Sequence, residues 1–598
     1  MMFLLIFLSL VFLYSKISRR KAEIIAPTIF FFIMTILYFS GLVFSSFIYG
    51  NIFIILLSIA ALIYFVYDVF KEKKNWKEIW EKFRSFIILY SIMGMLLIGF
   101  ISIVWDDFSH WLLTVKNMVL FNELSNNAKS TIVFKTYPPA TAIIQYFYNF
   151  VGGVGFKSFN LEYNSQLVTN YFVMILFLAM INMTQLSKKS KTILYPVLFL
   201  IPTMFNKEIY VGLYVDAILS IMGVYLIVFY EYTKKQKINQ KFEFIDIVLA
   251  TLFLVLIKST GTAIVVFCLI YIIIDLILTK KYKFNLKIII AILISLLIGK
   301  KTWGYYLLKT KADIIWETEK ITLGNVFKIF TGKGQQYQYE TIKNFFKAIF
   351  RQKIGKVSYT LFAVIIIGLL IYLYIKKKNN KRLKLLVYNV LIIVIYPISL
   401  LLMYIFIFSP TEAVNLASFS RYLSTIVIFL ILLNGLILVK DKIILKYEKI
   451  IIKVITVCFI ILIFTNSTMK ILTIRKFKQI KNVKKYRNEI REIPKEIRNN
   501  TSNKIYFVSN MSKDEGYYHW IFKYEATPLK TQPYYYNDNE NLFEILKDFD
   551  YIYIKDFDDT FLKKYSKIFK NGLESNNFYK IEKENNEVKL IKVESRKI

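Results

Sequence analysis

Apolar runs long enough to cross a lipid bilayer recur along three quarters of the chain, and nothing else in the sequence constrains the fold as strongly. The hydrocarbon core offers no water to backbone N–H and C=O groups, so a segment that spans it must satisfy them internally. Runs of roughly 17 to 25 apolar residues select helices. By that criterion helices fall near 2–15, 24–43, 50–69, 85–104, 165–185, 192–205, 212–231, 244–258, 261–279, 286–299, 357–375, 385–408, 421–438 and 449–466. Of the 598 residues 56% are hydrophobic, and mean hydropathy is +0.48. The expectation is an all-α polytopic membrane bundle of about 14 transmembrane helices.

The formal charge of +37 does not form one basic face. Lys and Arg come in short clusters between apolar runs, at 71–84, 188–191, 234–237, 280–283, 376–382 and 440–442. With these helices every cluster lands on one side, which the positive-inside rule makes cytoplasmic. They read as topology signals, and no nucleic-acid partner is expected. Both termini are then extracytoplasmic. The first fifteen residues lack a basic n-region and a cleavage site, so they read as a short first helix, not a signal peptide. Cys268 and Cys458 lie inside apolar runs and provide neither a disulfide framework nor a metal site. The basic stretches 300–356 and 470–498 fall outside, as long loops do largely regardless of charge. YPPATAIIQYFYNFVGG, 137–153, is expected as an external or re-entrant helix.

These assignments divide the chain into a transmembrane domain, 1–466, with outer loops 105–164 and 300–356, and an extracytoplasmic domain, 467–598, with a basic linker 467–500. In the latter NKIYFVS and DYIYIK read as strands, NLFEILKDF and DTFLKKYSKIF as helices, and NFYKIEKENNEVKLIKV as a hairpin turning at Asn585 and Asn586. Alternating strand and helix predict a small α/β domain. His519, in GYYHWIF, reads as a satisfied surface or core residue. The sequence contains no internal repeat, Gly-rich phosphate loop or Cys/His metal spacing.

Ionisable residues gather at the outer ends of the helices, where an unpaired charge is costly. WDDFSHW, Trp105 to Trp111, follows the fourth helix. Asp106 and Asp107 there are either first-turn acids that complement a helix dipole or a general base with a neighbour that tunes it. The spacing of Trp111, Leu112, Val115 and Val119 fits an amphipathic helix lying on the interface with the two Trp as anchors. His110 stands four residues after Asp106, a spacing suited to a hydrogen bond with Asp106 or a lipid headgroup; one His and one carboxylate make a poor metal site. A divalent cation is compatible with the sequence and not required by it. Arg421, in NLASFSRYL, and Lys258, in IKSTGT, are either snorkelling anchors or phosphate contacts. Glu208 and Asp216 flank the seventh helix as further acidic candidates.

An acid pair after an early helix, an amphipathic helix, YPPATAIIQYF and a later SRYL opening an outward helix resemble, in that order, the GT-C superfamily of membrane glycosyltransferases. That resemblance implies a GT-C-like bundle in a bacterial plasma membrane. It also implies a polyprenyl-phosphate-linked sugar as donor and a glycan, lipid or protein hydroxyl as acceptor, in cell-envelope glycan assembly. Asp107 or Asp106 would take the hydroxyl proton. Arg421 and Lys258 would steady the departing phosphate, and Trp105, Trp111, Tyr137, Tyr422 and His110 would line the substrate. A repeat-unit polymerase is the nearest alternative, although 300–356 carries one arginine, Arg351, for an outer-loop site. A lipid-linked glycan flippase or transporter should show broken or charged helices at mid-membrane. A non-catalytic scaffold would use WDDFSHW as an interfacial belt.

Overall fold

The computed structural model describes residues 1–73, 75–127, 129–153, 160–235, 240–280, 282–312, 320–439, 453, 457, 476–491, 493–510, 516–533, 542–570, 572–584 and 587–593. It falls into two compact units. The first is Met1–Phe100 with Lys135–Met469, and the second is Ile101–Phe134 with Lys470–Ile598. The sequence boundaries differ: the first part of the predicted outer loop groups with the C-terminal residues, because its aromatic side chains pack there.

In chain order the helices are α1 (Met2–Ser18), α2 (Ala22–Phe44), α3 (Ile48–Lys71), α4 (Trp76–Leu96), α5 (Leu112–Phe121), α6 (Ala140–Gly153), α7 (Leu161–Asn182), α8 (Lys188–Leu200) and α9 (Asp216–Thr233). They continue with α10 (Gln240–Val255), α11 (Gly261–Thr279), α12 (Tyr282–Thr310), α13 (Leu323–Phe330), α14 (Gln336–Arg351), α15 (Tyr359–Lys376), α16 (Asn380–Phe406), α17 (Pro410–Val414) and α18 (Phe419–Leu438). All but α5 belong to the first unit. Among the described residues nine are long and apolar enough to cross a membrane: α2, α3, α7, α9, α11, α12, α15, α16 and α18. Four more of the expected spans are helices that fall short in length or apolar content. α1, α8 and α10 have 17, 13 and 16 residues. The fourth, expected at 85–104, is α4: Asn75 caps its start by accepting from Glu78 N–H at 3.0 Å, and Gly99, at φ +75°, lies just beyond its end at Leu96. The span expected at 449–466, Cys458 with it, lies outside the described residues apart from Lys453 and Val457.

α2, α7, α9 and α18 are mostly buried within the bundle, whereas α3 and α15 turn most of their apolar surface outward. The inner helices approach closely. A Cβ on Gly223 of α9 would stand 2.5 Å from Ile264 Cγ2 of α11 and 2.7 Å from Phe429 Cε2 of α18, so glycine admits both neighbours. Near the C-terminal ends of α9 and α11, Lys384 of α16 pairs with Glu231 and, at 2.7 Å, with Asp275. The Tyr230 hydroxyl donates to Asp275 at 2.6 Å and Lys234 pairs with the same carboxylate. α6, 14 residues, is about 21 Å long, too short for a core of about 30 Å. It packs against α1, α2 and α7.

In the second unit five strands form one sheet in the order β4-β3-β5-β6-β7: β3 (Lys504–Val508), β4 (Lys530–Pro533), β5 (Tyr551–Ile554), β6 (Asn577–Glu584) and β7 (Glu587–Lys592). β1 (Lys353–Ile354) and β2 (Val357–Ser358) are a separate short hairpin of the first unit. β3 pairs in parallel with β4 and β5, and β5, β6 and β7 are antiparallel. Alternate residues Tyr506, Val508, Ile552, Ile554, Tyr579 and Ile581 fill one core with Leu542, Leu546, Phe561 and Tyr565 from the helices Leu542–Leu546 and Asp559–Tyr565. The hairpin turn at Asn585 and Asn586 lies outside the described residues. Within the expected linker, Lys476–Arg491 is helical.

Candidate functional site

In the first unit the ends of α9, α11 and α18 bring together residues far apart in sequence. Asp216 is the first residue of α9. Lys258 lies in the break between α10 and α11, where Gly261 N–H donates to Lys258 O at 2.8 Å. A Cβ on Gly261 would stand 2.1 Å from the Leu254 carbonyl oxygen, so the break closes this tightly on glycine alone. Arg421 lies in the first turn of α18, which opens after two left-handed residues, Leu416 at φ +50° and Ser418 at φ +59°. The start of α18 is pinned from α16, where Tyr396 donates to Tyr422 O and Tyr404 to Ala417 O, each at 2.6 Å. Ser220 of α9 donates to Thr425 O at 2.6 Å.

Around Asp216 the charges converge. Lys258 Nζ lies 3.0 Å from Oδ1 and Arg421 Nε 3.8 Å from Oδ2. Lys258 also lies over the rings of Tyr137 at 5.7 Å and Tyr422 at 5.5 Å. The Arg421 guanidinium lies over Tyr214 at 4.3 Å and Tyr422 at 5.4 Å. Two cations share one carboxylate, and three helices present their N-terminal, partially positive ends. The cluster therefore favours an anion, with Asp216 as its resident counter-charge. Glu208 lies in the turn before α9, its N–H donating to Asn206 Oδ1 at 3.0 Å and its carbonyl accepting from Gly212 N–H at 3.0 Å.

The acid pair belongs to the second unit. WDDFSHW starts not as a regular α-helix but as a π-turn, Asp107–Trp111, with Leu112 N–H closing on Asp107 O before α5 continues. Asp107 is buried and accepts from Ser102 Oγ at 2.6 Å, whereas Asp106 is half-buried. The segment packs against the helix Tyr517–Ala526. Trp105 meets Trp520 edge-on at 5.4 Å, Phe108 meets Tyr517 and Tyr524, and Tyr517 OH donates to Ile103 O at 2.9 Å. Arg487 pairs with Glu525 and lies over Phe108 and Tyr524.

This packing corrects the interfacial reading. His110 and Trp111 are buried, with His110 edge-on to Trp111 at 4.7 Å and to Phe134 at 5.5 Å. Both are enclosed within the second unit, where Trp105 and Phe108 of the same segment pack on the helix Tyr517–Ala526. Trp105 is the indole left exposed. His519 is buried as well, both ring nitrogens without a partner among the described residues. Desolvation, with Lys523 adding to it, pushes its pKa down to about 3. Among the described residues no three His, Cys, Asp or Glu side chains cluster to hold a metal ion.

The structure thus unites Asp216, Lys258, Arg421, Tyr137 and Tyr422 in one unit and Asp106, Asp107, His110, Trp105 and Trp111 in the other. Sequence reasoning missed Tyr214 and Tyr396, two of 43 tyrosines with no local mark. It also missed Ser102, whose polar side chain just before the acids was the available hint. In comparisons with known proteins, no family model, no curated protein and no solved structure matches the chain.

Proposed function

We propose that the protein is a membrane glycosyltransferase that moves a sugar from a polyprenyl-phosphate donor to an acceptor hydroxyl at the outer face of a bacterial plasma membrane. The observation that carries this reading is the Asp216–Lys258–Arg421 cluster, a cation pair framed by tyrosines where three helices begin. Such a site suits a lipid phosphate at the membrane boundary. In the transfer the acceptor oxygen bonds to the sugar's anomeric carbon, the bond from that carbon to the phosphate oxygen breaks, and the acceptor proton passes to a carboxylate. Lys258 and Arg421 take up the negative charge that grows on the departing phosphate. Asp106 and Asp107 are the proposed bases; Asp106 is the more exposed, and Asp107 orients the turn through Ser102. Among the described residues most ion pairs of the first unit lie near helix ends, Asp246 inside α10 excepted, which favours this reading over a transporter with several charges at mid-span.

The test is transfer from radiolabelled polyprenyl-phosphate hexose and pentose donors in proteoliposomes supplied with cell-envelope acceptors. Asp106→Asn or Asp107→Asn should lower turnover by roughly 10² to 10⁴ while donor is still bound. Arg421→Lys, which keeps charge but loses the fork, should weaken donor use with the protein still folded. Near-full transfer by both Asn variants would leave the acid pair a structural feature and remove the base from the reading.

A further inference from the structure

The loop between α12 and α15 contains two amphipathic helices, each of which leaves large apolar residues exposed among the described residues. In α13, Leu323, Phe327 and Phe330 recur at i, i+4 and i+7 on one side and are 91%, 67% and 83% exposed, while Ile329 is buried. In α14, Phe345 faces the bundle, its ring 5.3 Å from Phe419, and Phe346 and Phe350 are exposed.

Both helices are tied down. Tyr337 OH and Gln338 Nε2 donate to Ile405 O at 3.2 and 3.3 Å, Asn344 Nδ2 donates to Val414 O at 3.0 Å, and Tyr339 OH donates to Ile329 O at 3.0 Å. α14 ends at Arg351 and the span α15 begins at Tyr359, so only a tight hairpin separates them. The exposed Phe350 at the end of α14 therefore stands beside the start of α15, a helix long and apolar enough to cross a membrane.

Between α13, α14 and the start of α17 lies a pocket of about 660 Å³. Lys320, Lys328 and Lys333 line it against one carboxylate, Glu412, which is engaged in capping α17 through Ser409 N–H at 3.2 Å and Ser409 Oγ at 2.7 Å. From Lys320 to Arg351 the chain carries six Lys or Arg and one acid. Exposed aromatics on a lysine-rich amphipathic helix are the composition that seats in a headgroup layer.

We propose that α13 and α14 lie in the headgroup region of the leaflet and that this pocket takes the phosphate headgroup of an anionic phospholipid. The charge complementarity selects an anion, and the exposed aromatic residues beside the start of an apolar, membrane-length helix select a lipid as its bearer. The proposal is independent of the transfer reaction. Full-length protein, stripped of lipid in neutral detergent, is titrated with phosphatidylglycerol or phosphatidylcholine and bound lipid counted by native mass spectrometry. Phosphatidylglycerol should be retained in preference. Each lysine beside an anionic group is worth about fivefold, so Lys328→Gln with Lys333→Gln should lower that affinity roughly 20- to 30-fold. The matching Arg pair should retain it, which separates lost charge from lost fold. Phe327→Ser with Phe350→Ser should weaken both lipids. No preference in the unaltered protein, or an unchanged preference in the Gln pair, overturns the proposal. So does glycerol phosphate competing as well as the intact lipid, which would mark a soluble phosphate site.

Discussion

Asp216→Asn tests the anion cluster most directly, because one carboxylate holds two cations. At an effective dielectric of about 20, its attraction is about 5 to 6 kcal/mol to Lys258 at 3.0 Å and about 4 kcal/mol to Arg421 at 3.8 Å. Much of that gross attraction offsets the desolvation of the ions, so the net worth of the group is smaller. Removing the carboxylate alone leaves Lys258 buried without its counter-charge, a change that costs about 3 to 5 kcal/mol. The destabilisation should be reversed by an anion. Polyprenyl phosphate at 100 times its Kd returns about 2.7 kcal/mol. The asparagine variant, with no carboxylate competing for the cations, should bind it about tenfold or more tightly than the unaltered protein, a gain of about 1.4 kcal/mol. The assay is reversible unfolding in mixed micelles with polyprenyl phosphate, and with polyprenol as the uncharged control. Destabilisation below about 1 kcal/mol, or equal protection by phosphate and alcohol, would refute the view of Asp216 as a resident counter-ion.

Three further outcomes are expected. His519 is neutral when folded down to about pH 3 and protonates near 6.5 when unfolded, so it contributes nothing above pH 6.5 and destabilises progressively below it. The second unit should lose about 2 kcal/mol from pH 6.5 to 5, read by amide exchange in β3 and the helix Tyr517–Ala526, and His519→Phe should flatten that slope; equal slopes in both proteins would contradict it. Gly223→Ala forces a methyl to within 3 Å of both Ile264 and Phe429, so it should destabilise by about 1 to 3 kcal/mol in the unfolding assay, whereas a neutral effect would mean that α9 shifts freely. Cysteines placed within 106–136, and a reporter after residue 598, should be accessible from outside intact cells; cytoplasmic labelling at either place would invert the topology.

The long apolar helices were legible because the capacity to cross a membrane is a local property. Some twenty apolar residues must form a helix wherever they stand, and α2, α7, α9 and α18 follow from their runs alone. α4 shows the limit. Its start is decided by an asparagine cap and its end lies beside a left-handed glycine, neither of which a hydropathy window registers. In the C-terminal unit β3, β5, β6 and β7 follow from their apolar alternation. β4, whose residues are Lys530, Thr531, Gln532 and Pro533, has no such pattern and is a strand because β3 offers it an edge.

Local sequence marks the residues that are costly where they stand: Asp216, Lys258 and Arg421 beside apolar runs, and the acid pair in WDDFSHW. Which of them share a site was decided by tertiary packing. Gly223 and Gly261 let helices approach closely enough for Lys258 and Arg421 to reach Asp216, and contacts of that kind depend on side chains far apart in the chain. WDDFSHW reads locally as a helix floating on lipid because its apolar spacing is the same whether lipid or protein covers it. Trp520, Tyr517 and Tyr524 cover it instead, since burial against a complementary aromatic helix excludes water as well as lipid does and adds directed ring and hydrogen-bond contacts.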